Sequence, residues 1–353
     1  MFVNYFMKKF FFLFLVVFTL LPWAGVGGGL LLAQRNNFQN YSLEQGLPQA
    51  TIYCIIQDNR GYLWLGTDGG GLCRFDGNNF KTYTKKDGFT GDNIRSLLQD
   101  SKGRIWAGTK DEGIILYDGL KFTTIGKNNG LAGDAVLCMF EDENGAVWAG
   151  TDNGGVNKIT VEKDSFRIQV IDESKGISNN SVFDIHKDKD GHLWLATFGG
   201  VNVLTFEKDS FHIDQLRGGR EIPSDQITSI AEDTKGALWF GTYDGGVFRI
   251  APKNSPQNAS PANQNFKLDI LSRKVSAFDP SNGFNAKTIW KIFNTSGNEL
   301  WFASVEDGII RYRTITTAGD SSLNLFEKFT DKEGLPGNQM LCVYEDKEKT
   351  SRV

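Results

Sequence analysis

Proline, histidine and cysteine are scarce in this chain of 353 residues, with 8, 3 and 4 copies respectively. Eight prolines against 40 glycines exclude a Pro-rich linker protein and point to many tight turns. The three histidines, His186, His192 and His212, lie within one stretch of the chain. No motif places a serine, a cysteine or paired carboxylates with them, so they read as structural rather than catalytic. Charge of one sign is also lacking: the net charge is -4 and no Lys/Arg cluster offsets it locally. Nucleic acid is therefore excluded as a partner. A 3.6-residue hydrophobic period is missing too, which excludes a helical solenoid.

One uninterrupted apolar run is present, at the start. Lys8 and Lys9 precede residues 10–21, apolar except for Thr19, and a Gly-rich stretch follows up to Ala33. This pattern predicts a secretory signal peptide over residues 1–33, with an N-terminal membrane anchor as the alternative. Glycines 25, 27, 28 and 29 weaken a helix there and favour cleavage. A periplasmic or secreted chain is expected, touching a membrane only through this segment or through parts that this chain lacks.

What dominates residues 34–353 is a repeat. Trp64, Trp106, Trp148, Trp194, Trp239 and Trp301 are each followed by a step of the type Gly-Thr: Gly66-Thr67, Gly108-Thr109, Gly150-Thr151, Ala196-Thr197, Gly241-Thr242 and Ala303-Ser304. Ahead of the first five tryptophans, Asp and Gly stand three apart, as in Asp58 and Gly61, which marks a type I turn. The sixth copy reads Thr295-Ser296-Gly297 instead. A short apolar strand precedes each turn, a third strand follows Gly-Thr, and a fourth begins at Phe80, Phe122, Phe166 and Phe211. Four short strands per repeat define an all-β propeller of four-stranded antiparallel blades. Residues 251–276 read as an exposed loop inserted in the fifth blade.

The ring is expected to have seven blades, the last incomplete. Phe38 to Tyr41 aligns with a fourth strand, and Met340 to Tyr344 opens a seventh copy, but Lys347 to Val353 stand where Trp and Gly-Thr should follow. A truncated or frameshifted chain, or a fragment, is the expectation.

The recurrent residues are scaffold. The single carboxylate of each Asp-x-x-Gly turn is far from the six to eight oxygens calcium wants, so no metal is expected, and no cofactor. Cys54, Cys138 and Cys342 hold one position in three blades, too far apart for disulfides, and are expected to be free and buried with Cys73. Function is sought where the repeat varies. Asp68, Lys110, Asp152 and Tyr243 follow Gly-Thr, and Trp290 stands where other copies have Tyr53, Arg95, Leu137, Phe183, Thr228 and Leu341. These five residues are the candidate ligand-binding face, suited to a glycan or another small extracellular ligand. No acid-base pair supports an enzyme.

The composite of Gly-Leu, Asp-x-x-Gly and Leu-Trp-x-Gly-Thr, as in residues 57–67, resembles the two-component regulator propeller repeats over residues 38–346. Such propellers form the periplasmic part of hybrid sensor histidine kinases. The resemblance implies an extracytoplasmic ligand sensor whose kinase, transmembrane part and possible dimerisation regions lie outside this chain. The alternative is a stand-alone secreted propeller that binds a partner.

Overall fold

The computed structural model describes residues 3–5, 39–163, 165–208, 210–219, 221–252, 273–316 and 322–353. Each repeat forms one antiparallel four-stranded sheet with its strands in chain order. Blade 1 comprises Ile52–Gln57, Leu63–Thr67, Leu72–Phe75 and Phe80–Tyr83, and blade 4 comprises Val182–Lys187, Leu193–Thr197, Gly200–Phe206 and Phe211–Leu216; blade 3 runs from strand Val136–Glu141 to strand Phe166–Ile171, and blade 6 from Ile289–Asn294 to Ser322–Phe329. The second strand of blades 1 and 4 is wholly buried, as a strand covered on both faces must be. First strands of successive blades stand side by side and line the centre. In blade 5 the third strand is Val247–Ile250 and the fourth is Val275–Phe278. Most of the expected loop between them, residues 253–272, lies outside the described residues. So does the expected signal peptide, apart from residues 3–5, which form strand Val3–Tyr5. No helix among the described residues is long and apolar enough to cross a membrane.

The expectation of seven blades is corrected: the structure has six. Beyond them are strands of only two or three residues, Gln39–Tyr41, Tyr344–Glu345 and Ser351–Arg352, joined by Val3–Tyr5 into a small closing sheet. The physical reason is local. Arg352 stands six residues after Asp346, where each blade carries its tryptophan, and Lys349 takes the left-handed place with φ of 61° that Gly fills in blades 1 to 5. The C-terminal residues instead wedge between blades 6 and 1. Met340, Val343 and Val353 pack on Ile309 and Phe329, and Cys342 joins Ile52 and Leu65. The Lys347 amide donates to Gln57 Oε1 at 2.7 Å, and the Ser296 amide donates to Glu345 Oε2 at 2.7 Å.

Within blades 1 to 5 the Asp-x-x-Gly turn and the tryptophan are one unit. Asp142 Oδ1 accepts the Asn144 and Ala146 amides at 3.0 Å each, while Oδ2 accepts Trp148 Nε1 at 2.9 Å. The same indole bond runs from Trp64 to Asp58, Trp106 to Asp100, Trp194 to Asp188 and Trp239 to Asp233, at 2.8 to 3.0 Å. The carboxylate thus has a structural role in these five blades, because it satisfies turn amides and a buried indole together. Burial works to raise the Asp142 pKa, but the bonds from Trp148 and Ala146 and the charge of Lys158 outweigh it and hold the carboxyl below its ordinary range.

Blade 6 lacks this carboxylate. Its turn runs from Thr295 to Asn298, whose amide donates to the Thr295 carbonyl at 3.0 Å, so the left-handed residue is Asn298 with φ of 60° and not Gly297. Trp301 Nε1 is buried and has no hydrogen-bond partner among the described residues. Thr295→Asp is expected to supply the missing acceptor and stabilise the chain by about 1 kcal/mol, since bonds to charged groups exceed neutral ones. A rise in urea midpoint at constant slope checks this. A midpoint unchanged or lowered counts against the pairing.

Blades are latched to one another by backbone. The glycine that opens each third strand donates its N–H to the residue lying two before the next first strand: Gly71 to Asp92 O, Gly113 to Asp134 O, Gly155 to Asn180 O, Gly200 to Asp225 O and Gly246 to Lys287 O, at 2.7 to 2.9 Å. Gly308 makes the sixth latch, to Asn338 O at 2.8 Å, and so ties blade 6 to the closing segment.

Candidate functional site

Every first strand carries one residue too many for its partner. The register with the second strand shifts between Ile52 and Cys54, Ile94 and Ser96, Val136 and Cys138, Val182 and Asp184, Ile227 and Ser229, and Ile289 and Lys291. The skipped residues are Tyr53, Arg95, Leu137, Phe183, Thr228 and Trp290. A β-bulge of this kind bends the strand and re-aims side chains, so the skipped residue and its successor can both turn to one side. In this protein that side is the centre: Tyr53 with Cys54, Arg95 with Ser96, Leu137 with Cys138, Phe183 with Asp184, and Trp290 with Lys291 line a single cavity of about 270 Å³.

The two rings of residues differ in chemistry. At the skipped position stands an aromatic group: Phe183 stacks on Phe198 with centroids 4.2 Å apart, and Trp290 meets Phe183 edge-on at 6.2 Å. Phe198 in turn lies 6.0 Å from Tyr243. Opposite them the guanidinium of Arg95 lies over the Tyr53 ring at 3.7 Å, a cation–π geometry.

One position further along, small residues tuck back against the second strand. A Cβ on Gly66 or Gly150 would approach Cys54 Sγ or Cys138 Sγ to 2.4 Å. The glycine of Gly-Thr is thus the space these side chains occupy. In two blades that glycine is alanine, Ala196 opposite Asp184 and Ala303 opposite Lys291. There the side chains are charged and meet each other across the cavity, Lys291 Nζ to Asp184 Oδ2 at 2.9 Å. The same Asp184 oxygen accepts Ser229 Oγ and the Ile230 amide, both at 2.9 Å, and Oδ1 accepts the Ile185 amide at 3.1 Å. Burial opposes the charge of Lys291, but the Asp184 carboxylate more than offsets it and holds the ammonium above the usual lysine value.

The four cysteines are free. Burial pushes the Cys342 and Cys73 thiols up to about 12 and moves Cys54 and Cys138 in the same direction. All four are therefore thiols near neutral pH and poor nucleophiles. Cys342 Sγ donates to Ile52 O at 3.8 Å, as Cys138 Sγ does to Val182 O at 3.6 Å, so both join adjacent segments of the ring. Among the described residues no group of His, Cys, Asp and Glu is arranged to hold a metal ion. His186 approaches Glu232 at 3.2 Å and His192 approaches Asp188 at 2.9 Å, which engages both in side-chain networks of the blades.

Of the residues singled out from sequence, Trp290 lines the cavity, and Tyr243 reaches it through Phe198 and Phe183. Asp68, Lys110 and Asp152 are not among the lining residues. Their amides donate to Thr51, Asn93 and Ala135 carbonyls, and Asp152 Oδ1 accepts Ser181 Oγ at 2.6 Å. Sequence reasoning missed Phe183, Asp184, Lys291 and Arg95. The available clue to the ion pair was the replacement of Gly by Ala in Leu195-Ala196-Thr197 and Phe302-Ala303-Ser304, the two copies that hold its partners.

Comparison with known proteins is consistent with this architecture. Residues 46–69, 88–111, 130–153, 176–199 and 221–244 match the two-component regulator propeller family. The extracellular domain of a putative hybrid two-component system from B. thetaiotaomicron is similar in fold, with 17% identity and a TM-score of 0.64 over 87% of this chain and 38% of that one. PorZ of Porphyromonas gingivalis, described as a surface component of the type-IX secretion system, aligns at 16% identity and a TM-score of 0.61, over 91% of this chain and 49% of that one. Virginiamycin B lyase from Staphylococcus aureus aligns at 16% identity and a TM-score of 0.54, over 86% and 94%. The chain thus spans less than half the length of the first two. No curated protein matches it.

Proposed function

We propose that this chain of two-component regulator propeller repeats is the extracytoplasmic ligand-sensing part of a two-component signalling system. Its ligand is a small extracellular molecule such as a glycan, taken at the mouth of the central cavity. The observation that carries this reading is the run of rings from Tyr243 through Phe198 and Phe183 to Trp290. The skipped position accepts Leu137 or Thr228 in other blades, so no fold requirement explains aromatic groups there, and partly exposed rings are the surface on which sugar faces stack. The reading is non-catalytic: among the described residues the cavity holds a saturated carboxylate, a paired lysine and neutral thiols, with no acid-base pair beside a nucleophile. The lyase likeness, at 16% identity, is one of fold.

A glycan array probed with the chain, followed by titration of any hit, tests the proposal. Trp290→Ala and Phe183→Ala are expected to weaken binding about tenfold each, the equivalent of one stacking contact. Binding that survives both substitutions unchanged counts against the cavity mouth as the sensing site.

A further inference from the structure

The cavity carries an unbalanced charge. Its charged lining residues are Arg95, Asp184 and Lys291, two cations and one anion. Asp184 is already saturated: it accepts from Ser229 Oγ, the Ile185 and Ile230 amides and Lys291 Nζ. Lys291 has three N–H donors, and its one hydrogen bond among the described residues is to Asp184. Its side chain is 41% exposed towards the cavity while that of Asp184 is 9% exposed. Arg95 lies over the Tyr53 ring and makes no hydrogen bond or ion pair among the described residues, which leaves its planar fork of donors available. An ammonium and a guanidinium that line one cavity with unused donors are placed to receive an anionic acceptor.

We propose that the cavity binds a small organic monoanion, a carboxylate on a flat apolar body, with the carboxylate received by Lys291 and Arg95 and the body set against Trp290 and Phe183. The inference rests on the cavity being the sensing site and adds the charge of what enters it. One negative charge balances the lining. The guanidinium fork matches the two oxygens of a carboxylate, and the edge-to-face pair of Trp290 and Phe183 offers a ring-sized apolar surface. A cavity of about 270 Å³ has room for a single ring and its substituents.

Phenylacetate and its neutral isostere phenylacetamide, titrated against the full chain and followed by tryptophan fluorescence and calorimetry, test the proposal. Phenylacetate is expected to bind at least about tenfold more tightly than the amide. Lys291→Met and, separately, Arg95→Met are expected to reduce that preference to about twofold or less. Arg95→Met removes no hydrogen bond among the described residues, so it keeps the test open should Lys291→Met fail to fold. Equal binding of acid and amide, a preference that persists in both variants, no saturation by phenylacetate at about 10 mM, or tighter binding of phenyl phosphate each overturn the carboxylate assignment. A neutral saccharide that binds the wild type and both methionine variants alike, but not Trp290→Ala, would overturn it while leaving the sensing proposal standing.

Discussion

Trp194→Ala is expected to lower the unfolding free energy by about 3–5 kcal/mol, the range for deleting a large aromatic from a close-packed core. Trp194 is 0% exposed and belongs to a cluster that includes Ile227, Ile230, Leu238 and Phe240 of the next blade. Its loss therefore opens a cavity between two sheets rather than within one. Trp194→Phe keeps much of that apolar contact and removes the indole donor to Asp188. Its cost is expected to be about 1–2 kcal/mol, the scale of one hydrogen bond to a charged group plus a small volume loss. Equilibrium urea unfolding of both variants gives the comparison. If the two substitutions cost the same, packing between blades is not what the repeated tryptophan supplies.

A similar loss, about 2–4 kcal/mol, is expected for Gly155→Ala, from backbone strain and collision together. Gly155 has φ of 69°, and a Cβ built there would meet the Ile171 carbonyl oxygen at 2.4 Å and Asp172 Cα at 3.0 Å. Both obstacles are backbone of the blade's own last strand and the turn after it, so neither can swing aside. Relief would come only by moving the N–H that latches blade 3 to Asn180 of blade 4. Gly77→Ala separates the two causes: its φ is 100°, but nothing lies within 4 Å of the added carbon. That variant should lose only the strain, about 1 kcal/mol. A Gly155→Ala chain as stable as Gly77→Ala would show that the latch yields without cost.

The scaffold was legible because each of its bonds is made by residues close in sequence and repeated in copy after copy. Asp142 and Trp148 are six residues apart, and their partnership recurs in the other blades of that type. Two things resisted the same reading. The blade number depends on closure, and closure depends on what residues 340–353 pack against, Ile309 and Phe329 on one side and Ile52 and Leu65 on the other; a motif count cannot see those contacts. The cavity charges resisted because Asp184 and Lys291 are 107 residues apart and share no motif. The bulges were equally hidden, since an extra residue in a strand leaves the apolar alternation around it nearly intact. Trp290 was found because it broke a column of the repeat. Phe183, in the same column, passed as an ordinary aromatic and proved to be its neighbour.

The six bulges also bear on how such a chain can change. A skipped residue has no cross-strand partner, so the pairing of its sheet is indifferent to its identity, and Tyr53, Arg95, Leu137, Phe183, Thr228 and Trp290 are accommodated on one backbone plan. Each blade contributes such a residue to the cavity wall, and that residue can be exchanged without disturbing the strand pairing of its own sheet. Selectivity in this architecture can therefore drift one substitution at a time, with every intermediate still folded.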